Sequence, residues 1–336
     1  MIHGLSKMTK QLLTLRRATE SEHQETRRLN YEEWGAPQLS LPVYLKREEM
    51  LAKQPFAKDL RCYCLFKDAE ILSSCEVYKR RGLFKSPGKQ LEMKDVYSIA
   101  SVFTPVIHRG QGYASKMMTL LKDELTKLNA FASTLYSDIG ETFYSRFGWA
   151  IHPSVMAKID LTETTPVADS QIELLRESQI KELLEENILV VKDEMEYRAS
   201  KQPVFCVEPN IESQSWLIAR SKFYAEHFKS ALNIDYWGIR KGNEFMLWMY
   251  DFREAELVVT MHRVSSPETF QQFISAISYE ARKNEVQRIC IWDPCVAARE
   301  FKTAKITNRK DSLSSLLLFD NNSDILWLHN EKYAWV

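Results

Sequence analysis

Apolar and polar positions along this chain recur with two periods, and the alternation between them marks out the elements. Residues 12–18 form a short apolar-rich run that reads as a strand, and 20–34 reads as a helix. Leu41-Pro42 breaks that pattern, and 44–56 reads as a second helix with Pro55 near its end. Two β-like runs, 60–66 and 71–78, flank the turn Lys67-Asp68-Ala69-Glu70. Ser86-Pro87-Gly88 marks 82–88 as the tip of a loop. A long strand, 94–103, ends at Thr104-Pro105, because proline lacks the N–H that a ladder needs. Beyond it Ala114, Met117, Met118, Leu121, Leu125 and Leu128 fall at helical spacing, which predicts an amphipathic helix. Residues 131–136 read as a strand, 141–147 as a short helix stopped at Gly148, and 149–159 as a closing strand.

Residues 161–170 are Thr-rich, lack aromatics and read as a linker, which divides the chain into 1–160 and 171–336. The second part opens with helical patterning over 171–195. Runs at 236–240 and 245–252 then flank the hairpin turn Lys241-Gly242-Asn243-Glu244. A strand at 256–264, a helix at 267–283 and strands at 288–292 and 325–335 complete it. The order hairpin, strand, helix, strand echoes the first part without its glycine turn. The expected class is therefore α+β with mixed sheets. Six of the eight tryptophans lie in the second part, a density that signals packing or an aromatic-lined pocket.

A length of 336 residues agrees with two domains. Lys+Arg and Asp+Glu both number 45, so the chain lacks the basic excess of a nucleic-acid binder. No pair among Cys62, Cys64, Cys75, Cys206, Cys290 and Cys295 has Cys-x-x-Cys spacing, and the histidines are scattered, so no metal site is expected. Buried reduced thiols point to a cytoplasmic protein. An organellar matrix is the alternative, because 1–18 holds Lys7, Lys10, Arg16 and Arg17 but no acid. No apolar run reaches membrane-spanning length, and the oligomeric state is left open.

The segment that carries chemistry is Val102-Phe103-Thr104-Pro105-Val106-Ile107-His108-Arg109-Gly110-Gln111-Gly112-Tyr113-Ala114, between a strand and the amphipathic helix. Glycine lets backbone amides converge, and unpaired N–H groups at a helix start favour an anion such as a pyrophosphate. No Gly-Lys-Ser/Thr follows, so it is not a Walker loop, and it lacks the Gly-x-Gly-x-x-Gly of a dinucleotide turn. The spacing Arg109-x-x-Gly112-x-Ala114 resembles the acetyl-CoA loop of the GNAT superfamily. Phe143-Tyr144-Ser145-Arg146-Phe147-Gly148-Trp149 is similar to that family's second landmark. One departure is that Val106-Ile107-His108 makes the stretch before Arg109 one residue longer than usual. Leu135-Tyr136-Ser137-Asp138-Ile139-Gly140, Tyr44-Leu45-Lys46-Arg47-Glu48 and Asn330-Glu331-Lys332-Tyr333-Ala334-Trp335 resemble the fungal lysine N6-acetyltransferases of lysine catabolism.

The resemblance implies a GNAT fold followed by a C-terminal α+β domain, itself a degenerate GNAT-like half, that closes the substrate cleft. It implies acetyl-CoA as cosubstrate, no metal, and a small amine, L-lysine, as acceptor; protein lysines and polyamines are alternatives, as is a non-catalytic CoA sensor. Val102, Phe103, Thr104, Arg109, Gly110, Gln111, Gly112, Tyr113, Ala114 and Ser115 would then hold the cofactor. Tyr144 would be the general acid. Asp138 is either the group that binds or deprotonates the amine or an N-cap for the following helix. Val336 would bring a terminal carboxylate into the site, and Trp34 would line the amine pocket. Arg80 and Arg81 are candidates for a substrate carboxylate, and His108 for a phosphate contact.

Overall fold

The computed structural model describes residues 12–165, 172–228, 234–320 and 324–336. Strand β1 (Leu13–Arg17) leads into α1 (Glu20–Trp34). A capping box starts that helix: the Glu22 N–H donates to the Thr19 hydroxyl at 3.3 Å, and the Thr19 N–H donates to the Glu22 carboxylate at 2.8 Å. Helix α2 (Leu41–Ala52) carries Pro42 in its first turn, where a missing N–H loses nothing. Pro42 thus opens this helix rather than standing before it, and Pro55 begins a separate 3₁₀ turn, Pro55–Ala57.

Strands β2 (Arg61–Lys67), β3 (Glu70–Lys85) and β4 (Glu92–Phe103) form an antiparallel meander. Helix α3 (Tyr113–Lys127) crosses over to β5 (Ala132–Ser137), which pairs parallel to β4. The strand expected to end at 78 runs on to Lys85, so Gly82 lies inside β3 and not at a loop tip. A Cβ there would come 2.5 Å from Val96 Cγ2 and 2.8 Å from Phe205 Cε2.

Next come α4 (Thr142–Ser145), β6 (Ala150–Ile151), β7 (Val155–Asp160), β8 (Glu173–Leu175), α5 (Glu177–Arg198), β9 (Val204–Val207) and α6 (Ile211–Phe228). The chain ends with β10 (Gly238–Lys241), β11 (Glu244–Asp251), β12 (Glu256–Arg263), α7 (Pro267–Lys283), β13 (Arg288–Trp292), α8 (Val296–Glu300), β14 (Lys305–Asn308), β15 (Leu313–Leu318) and β16 (Leu326–Trp327). One sheet runs β1-β2-β3-β4-β5-β15-β6, with β9 along the far end of β3 and β16 on β9. The other runs β14-β7-β13-β12-β11-β10-β8. Each sheet therefore takes strands from both parts of the sequence: β15 separates β5 from β6, and β7 joins β13 and β14.

Several sequence readings change here. The single strand expected at 149–159 is split at 152–154, and its two pieces enter different sheets. The strand expected at 325–335 is only β16, followed by a 3₁₀ turn whose Tyr333 hydroxyl donates to the Val207 carbonyl at 2.6 Å. The linker at 161–170 lies partly outside the described residues. Its start is docked, with Leu161 buried and the Arg282 guanidinium donating to the Thr164 carbonyl at 2.9 Å. Helix α6 escapes periodicity because it is buried around much of its circumference, polar Ser213, Gln214 and Ser221 included.

The unit β12-α7-β13 repeats the parallel crossover β4-α3-β5, so the second part is a GNAT-like half. Its helix start is not an anion cradle. The Thr269 N–H donates to Ser266 at 3.0 Å, and the Ser265 and Ser266 N–H groups donate to Glu244 at 2.6 and 3.1 Å. Those amides are spent inside the fold.

Candidate active site

Strands β4 and β5 pair from Val96 opposite Ala132 to Ile99 opposite Leu135, then part. On the other side of β4 the register slips between Ser74 and Glu76, and Ser101 takes a left-handed φ of 51°. This bulge turns the end of β4 away from the ladder, as bulges do. The gap opens into a cavity of about 720 Å³. A 3₁₀ turn, Val106–His108, takes up the longer stretch before Arg109. Gly110 and Gly112 then adopt φ of 77° and 81°, which other residues enter only with strain. A Cβ at either would meet nothing within 4 Å. Gly112 caps α3 without a side-chain bond. Among the described residues no acceptor takes the N–H of Gly110, Gln111 or Gly112. Open space, convergent amides and the start of a fifteen-residue helix form a cradle that fits a diphosphate.

Val102, Phe103, Thr104, Arg109, Gly110, Gly112, Tyr113, Ala114 and Ser115 all line this one cavity, together with Trp34, Asp138, Tyr144 and Val336. Gln111 does not; its amide donates back to the Ile107 carbonyl at 3.3 Å. Arg109 braces the turn, donating to the Thr104 carbonyl at 3.0 Å and to Glu33 at 3.1 Å. His108 faces Glu70 at 3.2 Å. Trp34 meets Phe103 edge-on, with ring centroids 5.8 Å apart.

Tyr144 sits in the single turn α4, its ring against Phe143 at 4.9 Å. Burial pushes its phenol well above the ordinary value, and Cys75 and Asp138 add to this. It therefore stays protonated through neutral pH. Asp138 is exposed, and one oxygen accepts the Ser312 N–H at 2.8 Å. The N-cap of α4 is Glu141, without a side-chain bond, so the capping alternative for Asp138 does not hold. The carboxylate set deeper in the cavity wall is Glu76, on β3. It lies 2.7 Å from His23 Nε2 and accepts from Ser101 at 3.1 Å and Tyr78 at 3.4 Å. Burial alone would raise this carboxyl; His23, Arg27 and Ser101 more than reverse that and hold it below its usual value. Nothing in the sequence singles Glu76 out, because its partner is 53 positions away.

The far end of the cavity is built from Arg47 and Glu48 of α2, Trp216 and Arg220 of α6, Arg253 and Trp335. Arg80 and Arg81 are not there. Arg80 is buried and donates to Ser213 at 2.8 Å and the Ala334 carbonyl at 3.3 Å, and Arg81 pairs with Glu208 at 2.6 Å. Their order on a strand places them on opposite faces, each already bonded. Among the described residues there is no His/Cys/Asp/Glu group set to hold a metal, and no helix is long and apolar enough to cross a membrane.

Residues 14–152 match the acetyltransferase (GNAT) domain family, and residues 157–336 match the LYC1 GNAT-like C-terminal domain. The chain belongs to the GNAT acetyltransferases, with a second domain of that LYC1 GNAT-like kind, and is an acyltransferase. A lysine acetyltransferase of Yarrowia lipolytica is 25% identical to it over 334 residues, covering 84% of both chains. The uncharacterized protein YGR111W of Saccharomyces cerevisiae is 24% identical over 352 residues, covering 86% of both. Among solved structures, a GCN5-related N-acetyltransferase from Kribbella flavida superimposes with a TM-score of 0.59 at 14% identity, over 92% of this chain and 71% of that one. A probable N-acyltransferase from Enterococcus faecalis V583 does so with 0.56 at 12% identity, over 91% and 73%. These two likenesses concern the fold.

Proposed function

We propose that the protein moves an acetyl group from acetyl-CoA to the ε-amine of free L-lysine by direct attack. The observation that carries this reading is the one cavity lined by Gly110 and Gly112, whose amides are unpartnered, by Tyr144 and by the buried Glu76. The amides of the turn and of the first residues of α3 would hold the diphosphate, and Val102, Phe103 and Thr104 the arm that follows it. The carrier supplies an activated thioester, and the protein has to manage two protons. A lysine amine has a reference pKa of ~10.4, so roughly one molecule in two thousand is neutral at pH 7. Glu76, backed by His23, is placed to take that proton; Asp138 stays at the rim with one oxygen on Ser312. Tyr144 donates to the departing thiolate, and the second proton that the nitrogen sheds as the amide forms restores the phenol. Burial disfavours both anions, phenolate and thiolate, so the transfer is not opposed by the raised phenol alone.

The name of the Yarrowia lipolytica relative supports lysine as acceptor. A cytoplasmic location is part of the same proposal, on the reading of the six cysteines as reduced thiols. The deciding assay follows CoA release with free lysine, lysine-containing peptides and polyamines side by side. Turnover with free lysine is expected; acetylation of peptides alone overturns the acceptor assignment, and acetyl-CoA binding with no turnover would favour a sensor.

A further inference from the structure

We propose that Arg220 binds a carboxylate of the acceptor, so that the cavity selects a primary amine that is also an acid. This rests on the transferase reading above and narrows it to a substrate class.

Helix α6 carries Arg220 into the cavity wall, where the residue is only 9% exposed. Two other guanidiniums stand beside it, and each has its own carboxylate. Arg47 Nε donates to Glu48 at 2.8 Å, and Arg253 binds both oxygens of Asp251 at 3.1 and 2.7 Å. Arg220 has no such partner. Among the described residues its close contacts are two rings, Tyr224 at 5.4 Å and Trp335 at 5.5 Å. Tyr224 is itself shared, with Arg253 5.3 Å and Arg47 5.7 Å from its centroid. Among the described residues Arg220 is thus the one guanidinium of the three with no carboxylate bonded to it, and it lines the cavity.

A guanidinium taken from water without a counter-charge is costly, and an anion arriving from the cavity relieves that cost. Burial, with Arg253 and Arg47 adding to it, draws the Arg220 pKa down to about 10, against smaller opposing contributions from Tyr224 and Asp251. The planar fork matches a carboxylate at two points. Trp216 and Trp335 line the same cavity, their ring centroids 6.1 Å apart. The diphosphate cradle is elsewhere, at the start of α3, so this cation is not needed for the carrier. A diamine would bring a second ammonium against Arg220 and be repelled; an amino acid brings a carboxylate to the unpaired guanidinium.

The test compares lysine, 6-aminohexanoate and 1,5-diaminopentane, with the full chain and with Arg220→Gln and Arg220→Lys. In the unaltered protein, kcat/KM for lysine should exceed that for 1,5-diaminopentane by ~100-fold, the scale of one lost charge-assisted pair. Arg220→Gln should remove most of that ratio, raising KM for lysine and lowering it for 1,5-diaminopentane as the repulsion is relieved, with the effect falling in KM rather than kcat, and Arg220→Lys should restore part of it. Equal use of lysine and diamine by the unaltered protein overturns the inference without needing any variant, and leaves the transferase reading intact. A parallel loss for both substrates in Arg220→Gln also overturns it, because that is the mark of a structural role. Turnover or Arg220-dependent binding of 6-aminohexanoate, with lysine inert, supports Arg220 and sinks lysine as the acceptor.

Discussion

Replacing Tyr144 by Phe removes one oxygen from the centre of the cavity. The ring packs in a cluster with Leu65, Val77, Met117 and Trp149 and stacks edge-on with Phe143, and Phe keeps all of that. Among the described residues the hydroxyl makes no hydrogen bond to the protein, so its loss leaves no buried group unsatisfied. Stability should therefore change by less than ~0.5 kcal/mol. A positioned acid contributes about 10²–10⁴ in rate, which is ~2.7–5.4 kcal/mol of barrier at 1.36 kcal/mol per tenfold. The expected result is a kcat lower by that factor, acetyl-CoA affinity within twofold and an unchanged thermal midpoint. Single-turnover CoA release, followed with a thiol reagent, separates chemistry from product loss. A kcat within threefold of the original refutes the acid role. A fall in affinity that matches the fall in rate refutes it too, since the residue would then only shape the pocket.

Gly112→Ala should lower stability by ~1–2 kcal/mol, because φ of 81° is left-handed. It should weaken acetyl-CoA binding at least tenfold by calorimetry, since the new methyl projects from the cradle; unaltered affinity would mean the turn does not hold the carrier. Glu76→Gln should cut kcat/KM for lysine by ~100-fold near neutral pH, with the deficit closing tenfold per pH unit as the amine loses its own proton toward ~10.4. A deficit independent of pH argues against a proton-accepting role. Gly82→Ala should cost ~1–3 kcal/mol in denaturant unfolding, because its Cβ would lie 2.5 Å from Val96 where β3 meets β4 and β9. Burial raises the Glu331 carboxyl well above its usual value, with Asp293 adding to it. The native state then holds a proton that the unfolded chain has released above about pH 4.5, so stability falls as pH rises through that window. Glu331→Gln should flatten this slope in unfolding measured from pH 4 to 7; an unchanged slope would show that Glu331 does not cause it.

Much of the first half was fixed by neighbours in sequence. The Thr19–Glu22 capping box, the glycine turn ahead of α3 and the four-spaced apolar stripe of α3 are local devices, and each declares itself within a few residues. The same holds for α7 and β13, whose ends agree with the reading of 267–283 and 288–292. Tertiary structure alone decided that β15 would enter the first sheet between β5 and β6, that β7 would leave for the second, and that α6 would be buried around much of its circumference. It also decided that Glu76 would meet His23 across 53 positions and that Arg220 would stand without a carboxylate among two paired arginines. The physical division is one of range. Caps, turns and periodicity act over a few bonds and leave a signature in the chain, whereas strand partners and the charge balance of a buried pocket depend on which distant segments pack together.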